Sequence, residues 1–339
     1  MKAIVFREGS QWAVESIEKP VPGPGEALLR VIQTGVCGTD EHLLHGGFIA
    51  KFPLIPGHEM VGEVVELGPG EANAVVGDNV VVDNTVLCGK CHACREGNDL
   101  FCENFGSLGC NMPGGFAEYV VVDSSKVYPI GDLDPDVAVF AEPTACAVHG
   151  VDILNLKPAS DVLIFGAGPT GLILSQLLKT AGAARVTVAA PTASKLEVAT
   201  ALGADHTVQV DRTNPEAASA ALRDIAPRGF DAVIEATGST AVLELAVSHT
   251  KTGGTVLVYG LAGENDTAAI KPYEVFSREL TIKGSYAQVH CLGRALFALQ
   301  TGRVRTEGLI TSKLNLDTFD QALANLHDSE QIKTIVSSR

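Results

Sequence analysis

Four cysteines within fifteen residues, Cys88, Cys91, Cys94 and Cys102 of CGKCHACREGNDLFC, constrain this chain more than any other feature. A thiolate is a soft, charged ligand, and four on one loop form the closed tetrahedral shell that a structural zinc ion prefers. The spacing C-x2-C-x2-C-x7-C gives two short chelate steps and one longer return, enough to wrap an ion without straining the backbone. A redox C-x-x-C pair or plain core thiols are the alternatives, and the fourfold spacing favours the metal. The zinc lobe is expected over about residues 84–104. Cys110, Cys146 and Cys291 read as ordinary buried thiols.

At 339 residues the chain suits two domains, each able to bury its own core. Apolar residues at 46% against 19% charged exclude large-scale disorder. A net charge of −15, with no long Lys/Arg run, argues against nucleic acid and anionic membranes as partners. The opening MKAIVFREGSQW has no apolar stretch followed by a small-residue cleavage site, so the expected location is the cytoplasm. Clustered cysteines fit metal chemistry in a reducing compartment better than disulfides.

The pattern predicts an α/β protein of two kinds of structure joined near residue 145. Up to about residue 130, short valine-rich runs (27–31, 61–67, 80–82 and 116–122) alternate with Pro/Gly turns and predict a β-rich domain. Beyond Asp134, strands are expected at 161–165, 185–189, 232–235 and 255–259, with helices at 170–180, 195–202 and 241–248. Such alternation implies a parallel sheet covered on both faces. The apolar run 162–178 has membrane-span length, but its glycines, proline and glutamine read better as strand, turn and helix.

That strand, turn and helix carry Gly166, Gly168, Pro169, Thr170 and Gly171 in GAGPTG. The first glycine permits the tight turn, the second lets backbone approach a pyrophosphate, and the third lets helix pack on strand. Pro169 suits a helix start, where its missing N–H would be unpaired anyway. The helix N-terminus then faces the phosphates. Nineteen residues beyond Gly171, where a ribose-binding carboxylate would mark NAD, stands Ala190. Without that charge a 2′-phosphate is not repelled, and Thr192, Ser194 and Lys195 are candidate donors to it. NADP is therefore the preferred cofactor and NAD the alternative, with Lys195 otherwise a solvated helix residue.

Upstream lie Cys37 in GVCGTD, His58 and Glu59 in PGHEMVG, and Glu142 in AEPTACA. Taken singly, Cys37 or His58 reads as a packed core residue. Together with the four-cysteine lobe and GAGPTG, they resemble the zinc-dependent medium-chain dehydrogenases over nearly the whole chain. The resemblance implies a GroES-like catalytic domain from 1–145 and 287–339 and a Rossmann domain from 146–286, the latter ending on a strand near 280–285. It implies one catalytic and one structural zinc ion per chain, the first held by Cys37, His58 and Glu59. Glu142-Pro143 is similar to the polyol, threonine and sugar dehydrogenases rather than the simple alcohol branch. Glu142 is expected to bind zinc directly or, preferably, to hold a water on it. Thr39 and His42 match the spacing of the family's proton relay. The implied reaction oxidises a secondary alcohol of a small polyol to its ketose, in a homodimer or homotetramer. A threonine or sugar dehydrogenase, or a non-catalytic zinc- and nucleotide-binding regulator, is the alternative.

Overall fold

The computed structural model describes residues 1–211 and 215–338. Along the chain come β1 (Lys2–Arg7), β2 (Gln11–Ser16), β3 (Glu26–Gly35), α1 (Gly38–Leu44), β4 (Glu59–Leu67), β5 (Asn79–Val82), β6 (Thr85–Val86), α2 (His92–Arg95), β7 (Gly106–Ser107), β8 (Tyr119–Asp123), β9 (Val127–Pro129), α3 (Pro135–Ala138) and α4 (Ala141–Leu154). Next are β10 (Asp161–Phe165), α5 (Pro169–Thr180), β11 (Arg185–Ala190), α6 (Ala193–Ala201), β12 (His206–Gln209), α7 (Pro215–Ile225), β13 (Phe230–Glu235), α8 (Thr240–His249), β14 (Thr250–Val258), α9 (Pro272–Ser277) and β15 (Thr281–Gly284). The chain ends with α10 (Leu292–Gln300), β16 (Ile310–Asn315), α11 (Phe319–Asn325) and β17 (Lys333–Ser337).

Two compact units result: Met1–Ala145 with Gln288–Gln300 and Ile310–Arg339, and Cys146–Ala287 with Thr301–Leu309. The expected boundary gave all of 287–339 to the first unit. Thr301–Leu309 groups with the second instead, and the buried Gln176 of α5 supplies a reason. Its amide donates to the Arg305 carbonyl at 3.0 Å, besides the Leu172 carbonyl at 3.3 Å, and accepts from the Arg305 N–H at 2.8 Å, so the segment satisfies the buried amide oxygen.

The first unit is built on a seven-stranded sheet in the order β16-β17-β3-β4-β5-β9, with β8 also on β3. One long strand makes this possible: the start of β3 pairs with β8 and its end, Gln33 to Gly35, pairs with β17. Alternating apolar residues of β3, β4, β5 and β8 bury Leu29, Val31, Val64, Val80 and Val120 together. A second core gathers Phe6, Phe116 and Phe319, with ring centroids of Phe116 and Phe319 4.9 Å apart. Phe319 comes from α11, so the end of the chain helps close the unit that its beginning started.

The second unit is a parallel six-stranded sheet, β12-β11-β10-β13-β14-β15. Its central strands are apolar throughout, as a sheet covered on both faces requires, and Val162, Leu163, Ile164 and Val233 are fully buried. The long apolar run divides into β10, the glycine turn and α5 as its sequence implied.

His249, at the end of α8, is buried with its Nε2 3.1 Å from Ser219 Oγ. Burial first, and then neighbouring Arg223, push its pKa down to about 4. Its folded pKa lies below the unfolded value of 6.5, so between those values the unfolded chain takes up a proton that the folded chain refuses. Stability is thus full above 6.5 and declines as pH falls toward 4, by at most about 2 kcal/mol after allowance for solvent screening. Urea unfolding of the native protein across this range should show that decline, and His249→Gln should flatten it.

Candidate active site

His58 owes its place to glycine. Gly57 precedes it at φ +95°, and a Cβ there would meet the Phe116 backbone nitrogen at 2.8 Å. A Cβ on Gly109 or on Gly114 would lie 2.4 Å from the Gly57 carbonyl oxygen, so three separate segments meet backbone to backbone. This contact fixes the entry into β4, whose first residue is Glu59. Cys37, in extended conformation, caps α1, and its N–H donates to Asp40 Oδ2 at 2.9 Å. The other oxygen of the fully buried Asp40 stands 3.5 Å from His58 Nδ1. Sulfur, imidazole nitrogen and carboxylate oxygen of Cys37, His58 and Glu59 all lie within 4.8 Å of one another. A thiolate, an imidazole and a carboxylate are a donor set that suits zinc.

The surroundings favour positive charge. Burial opposes charge on His58, but Cys110 and Asp40 outweigh it and raise its pKa well above the ordinary imidazole value. Lys333 is completely enclosed, and there too burial, which opposes its charge, is overcome by Glu59, then Cys37 and then Glu142, leaving its pKa raised. Its Nζ donates to Glu59 Oε1 at 2.8 Å, to Glu59 Oε2 at 2.7 Å and to the Val36 carbonyl at 3.0 Å.

Glu142 opens α4 and lies outside the 4.8 Å cluster. Its Oε1 is 3.5 Å from the Asn84 amide nitrogen, which also reaches Ser107 Oγ at 3.3 Å. Thr39 Oγ1 stands 3.5 Å from Cys37 Sγ, and His42 follows one turn later on α1, half-buried. No motif in the sequence marks Asp40, Asn84 or Lys333 as part of the site. Asp40 had a signal, since an acid three residues after a helix cap is a capping pattern. Lys333 had a fainter one, a single ammonium at the head of the apolar TIV of β17.

The four lobe cysteines also converge, with their sulfurs within 4.8 Å of one another. Cys91 caps α2, Cys94 lies inside it, and the Cys91 N–H points at Cys88 Sγ from 3.3 Å while the Cys88 N–H points at Cys102 Sγ from 3.4 Å. Backbone N–H groups of Lys90 and Cys91 draw the Cys88 pKa down to about 6, whereas burial and the neighbouring sulfurs push Cys94 up to about 12. Thiols so close cannot all ionise unaided, and a dication removes the conflict.

In the second unit Gly166 has φ +120°, and a Cβ on Gly171 would sit 2.1 Å from the Gly166 carbonyl oxygen. Gly168 caps α5 and Pro169 is its first residue, with Thr170 beside it. The turn thus leaves bare backbone beside a helix N-terminus, an arrangement that suits a pyrophosphate. Ala190 ends β11 and is buried, Thr192 caps α6, and Ser194 and Lys195 lie in its acid-free first turn. These positions place hydroxyls and an ammonium on one helix start.

Residues 23–132 match the alcohol dehydrogenase GroES-like domain and residues 169–296 the zinc-binding dehydrogenase domain. The chain is 40% identical to D-arabinitol dehydrogenase 1 of Uromyces fabae, covering 99% of this chain and 97% of that protein. It is 35% identical to D-altritol 5-dehydrogenase of Agrobacterium fabrum, over 93% of each. Among solved structures, a zinc-binding dehydrogenase of Sinorhizobium meliloti 1021 bound to NADP superposes with a TM-score of 0.93 at 33% identity, covering 99% of this chain and 98% of that one. A GroES-like sheet, a parallel dinucleotide-binding sheet and end-to-end likeness to such enzymes lead to one conclusion: the chain belongs to the zinc-dependent medium-chain dehydrogenases, oxidoreductases that act on CH–OH groups.

Proposed function

We propose that the protein oxidises a secondary hydroxyl of a small polyol to the ketose and passes the hydride to NADP, with NAD as the weaker cofactor. The Cys37–His58–Glu59 cluster carries this reading, and likeness to proteins named for D-arabinitol and D-altritol supports the substrate class. Zinc held by these three side chains would supply Lewis-acid polarisation of the substrate hydroxyl. Glu142, steadied by Asn84, orients a water or a second hydroxyl of the polyol. Thr39, passing its own proton to His42 as it accepts the substrate's, would relay the hydroxyl proton toward solvent, and a bound nicotinamide would supply the hydride acceptor for the same carbinol carbon. The GAGPTG turn holds the pyrophosphate, and Thr192, Ser194 and Lys195 receive the 2′-phosphate that Ala190 leaves unopposed. Cys88, Cys91, Cys94 and Cys102 hold a second, structural zinc.

We also infer a self-associating protein working in a reducing cytoplasm. Supporting the first is the edge strand β15 with Ile282 at 39% exposure, near a helix, α9, that exposes Tyr273 and Phe276 at 76% and 78%. Supporting the second are eight cysteines, none of them paired in a disulfide.

Metal analysis separates the two clusters. Cys94→Ser should lose the structural ion and lower thermal stability while keeping a trace of turnover, and His58→Ala should abolish turnover, lose one ion and stay folded. Two ions retained in His58→Ala would refute the assignment of the open site.

Glu142→Gln should keep both ions yet lower kcat by roughly 10- to 100-fold, as loss of an orienting partner beside a metal does. Unchanged kinetics would remove Glu142 from the site.

Cofactor choice is read from kcat/KM with NADP and NAD. A charge-assisted bond to the 2′-phosphate is worth about 1.5 to 3 kcal/mol, so Lys195→Ala should erode the NADP preference by roughly 10- to 100-fold. Ala190→Asp should reverse it by repelling the phosphate and accepting from the ribose.

A further inference from the structure

Glu235 ends β13 and is a carboxylate that the chemistry above does not use. It is only 2% exposed, yet among the described residues no lysine, arginine or histidine pairs with it. Its Oε1 accepts from the Thr237 N–H at 2.6 Å and from the Thr237 hydroxyl, whose oxygen in turn accepts from the Ser239 N–H at 3.2 Å. Both neighbours donate, which suits the acceptor-only carboxylate rather than the acid. Oε2 lies beside Gly260, where a Cβ would stand 2.9 Å from it, and the Tyr259 and Gly260 N–H groups are both spent on the Glu235 carbonyl oxygen at 2.9 Å. A Cβ on Gly260 would also stand 2.1 Å from the Gly238 nitrogen, so backbone packs on backbone and holds the carboxylate in place. A buried charge without a partner is costly, and one fixed in such a cradle asks for a counter-charge from outside the chain.

Its place in the sheet identifies that counter-charge. The order β12-β11-β10-β13-β14-β15 reverses between β10 and β13, and in such sheets a dinucleotide crosses the carboxyl ends of the strands at the reversal. The GAGPTG turn and Ala190 take the β10–β11 side, which leaves the ends of β13 and β14 to the nicotinamide half. The loop after Glu235 already packs on the turn: a Cβ on Gly166 would lie 3.2 Å from Thr237 Cγ2 and 3.0 Å from the Ala236 carbonyl oxygen. An oxidised nicotinamide ring is a cation, and a reduced one is neutral.

We propose that Glu235 is a specificity-determining residue of the dinucleotide site, a fixed negative charge that favours the oxidised cofactor over the reduced one. This rests on the dinucleotide reading of the second unit and not on the choice between NADP and NAD, since the ring is the same in both. The carboxylate attracts the incoming cofactor and has no charge to hold once hydride has neutralised the ring.

Binding tests this without turnover. Reduced cofactor is titrated by its fluorescence and oxidised cofactor by competition against it, with NADPH and NADP and again with NADH and NAD. Glu235→Gln keeps an amide oxygen for Thr237, so it should weaken binding of the oxidised form at least about 5-fold and leave the reduced form within about 2-fold. Equal loss for both forms would mark a merely structural group, and no loss for either an idle one; each result overturns the proposal. Should Glu235→Gln not fold, Glu235→Asp and Glu235→Asn share a length and differ in charge. The oxidised form should then bind at least about 5-fold more weakly to Glu235→Asn than to Glu235→Asp, with the reduced form unmoved, and equal affinities would overturn the proposal. A native chain that binds neither pair of cofactors would refute the dinucleotide reading itself.

Discussion

Burying Glu59 is the constraint around which the catalytic unit is arranged. An isolated carboxylate in an apolar sheet is far too costly to keep ionised, and breaking a buried ion pair typically costs about 3–5 kcal/mol. The counter-charge comes from β17, which must therefore lie next to β3 while β4 lies on its other side. Gly35 of β3 is the gap that lets the pair meet, since a Cβ there would stand 2.0 Å from Glu59 Oε2. Strand order, one missing side chain and the charge of the Cys37–His58–Glu59 cluster are thus a single requirement.

Backbone contact does for direction what the ion pair does for charge. Gly57, Gly109 and Gly114 press together so closely that no Cβ fits at the contact, and this fixes where the His58 backbone begins. Asp40 then faces Nδ1, which leaves Nε2 as the nitrogen available to a metal. The cysteine lobe follows the opposite plan. Its sulfurs are gathered by a short local loop and need no distant strand.

This contrast explains what the sequence reveals and what it conceals. Cys88, Cys91, Cys94 and Cys102, and likewise Gly166, Gly168 and Gly171, are legible because their geometry is made by neighbouring residues. The strands at 161–165 and 185–190 are legible because both faces are buried and the apolar runs are unbroken. The polar, alanine-rich α7 has no such run and carries no apolar block to announce it. Lys333 is concealed for another reason: its partner lies 274 positions earlier, and only the order of strands brings them together. Thr301–Leu309 is similar, since its placement depends on the amide of Gln176 rather than on its own pattern.

The route of the chain also orders its synthesis. Val36 and Lys333 are 297 positions apart, whereas the parallel sheet from β10 to β15 is drawn from one uninterrupted stretch. As the polypeptide emerges, that stretch can complete its sheet while the earlier strands still await β17, because contacts of high separation form late. Until then the Glu59 carboxylate has no ammonium beside it, and a nascent chain would present it, with Cys37 and His58, as an unrestrained chelator. The parallel sheet can thus form before the Cys37–His58–Glu59 cluster has its final charge.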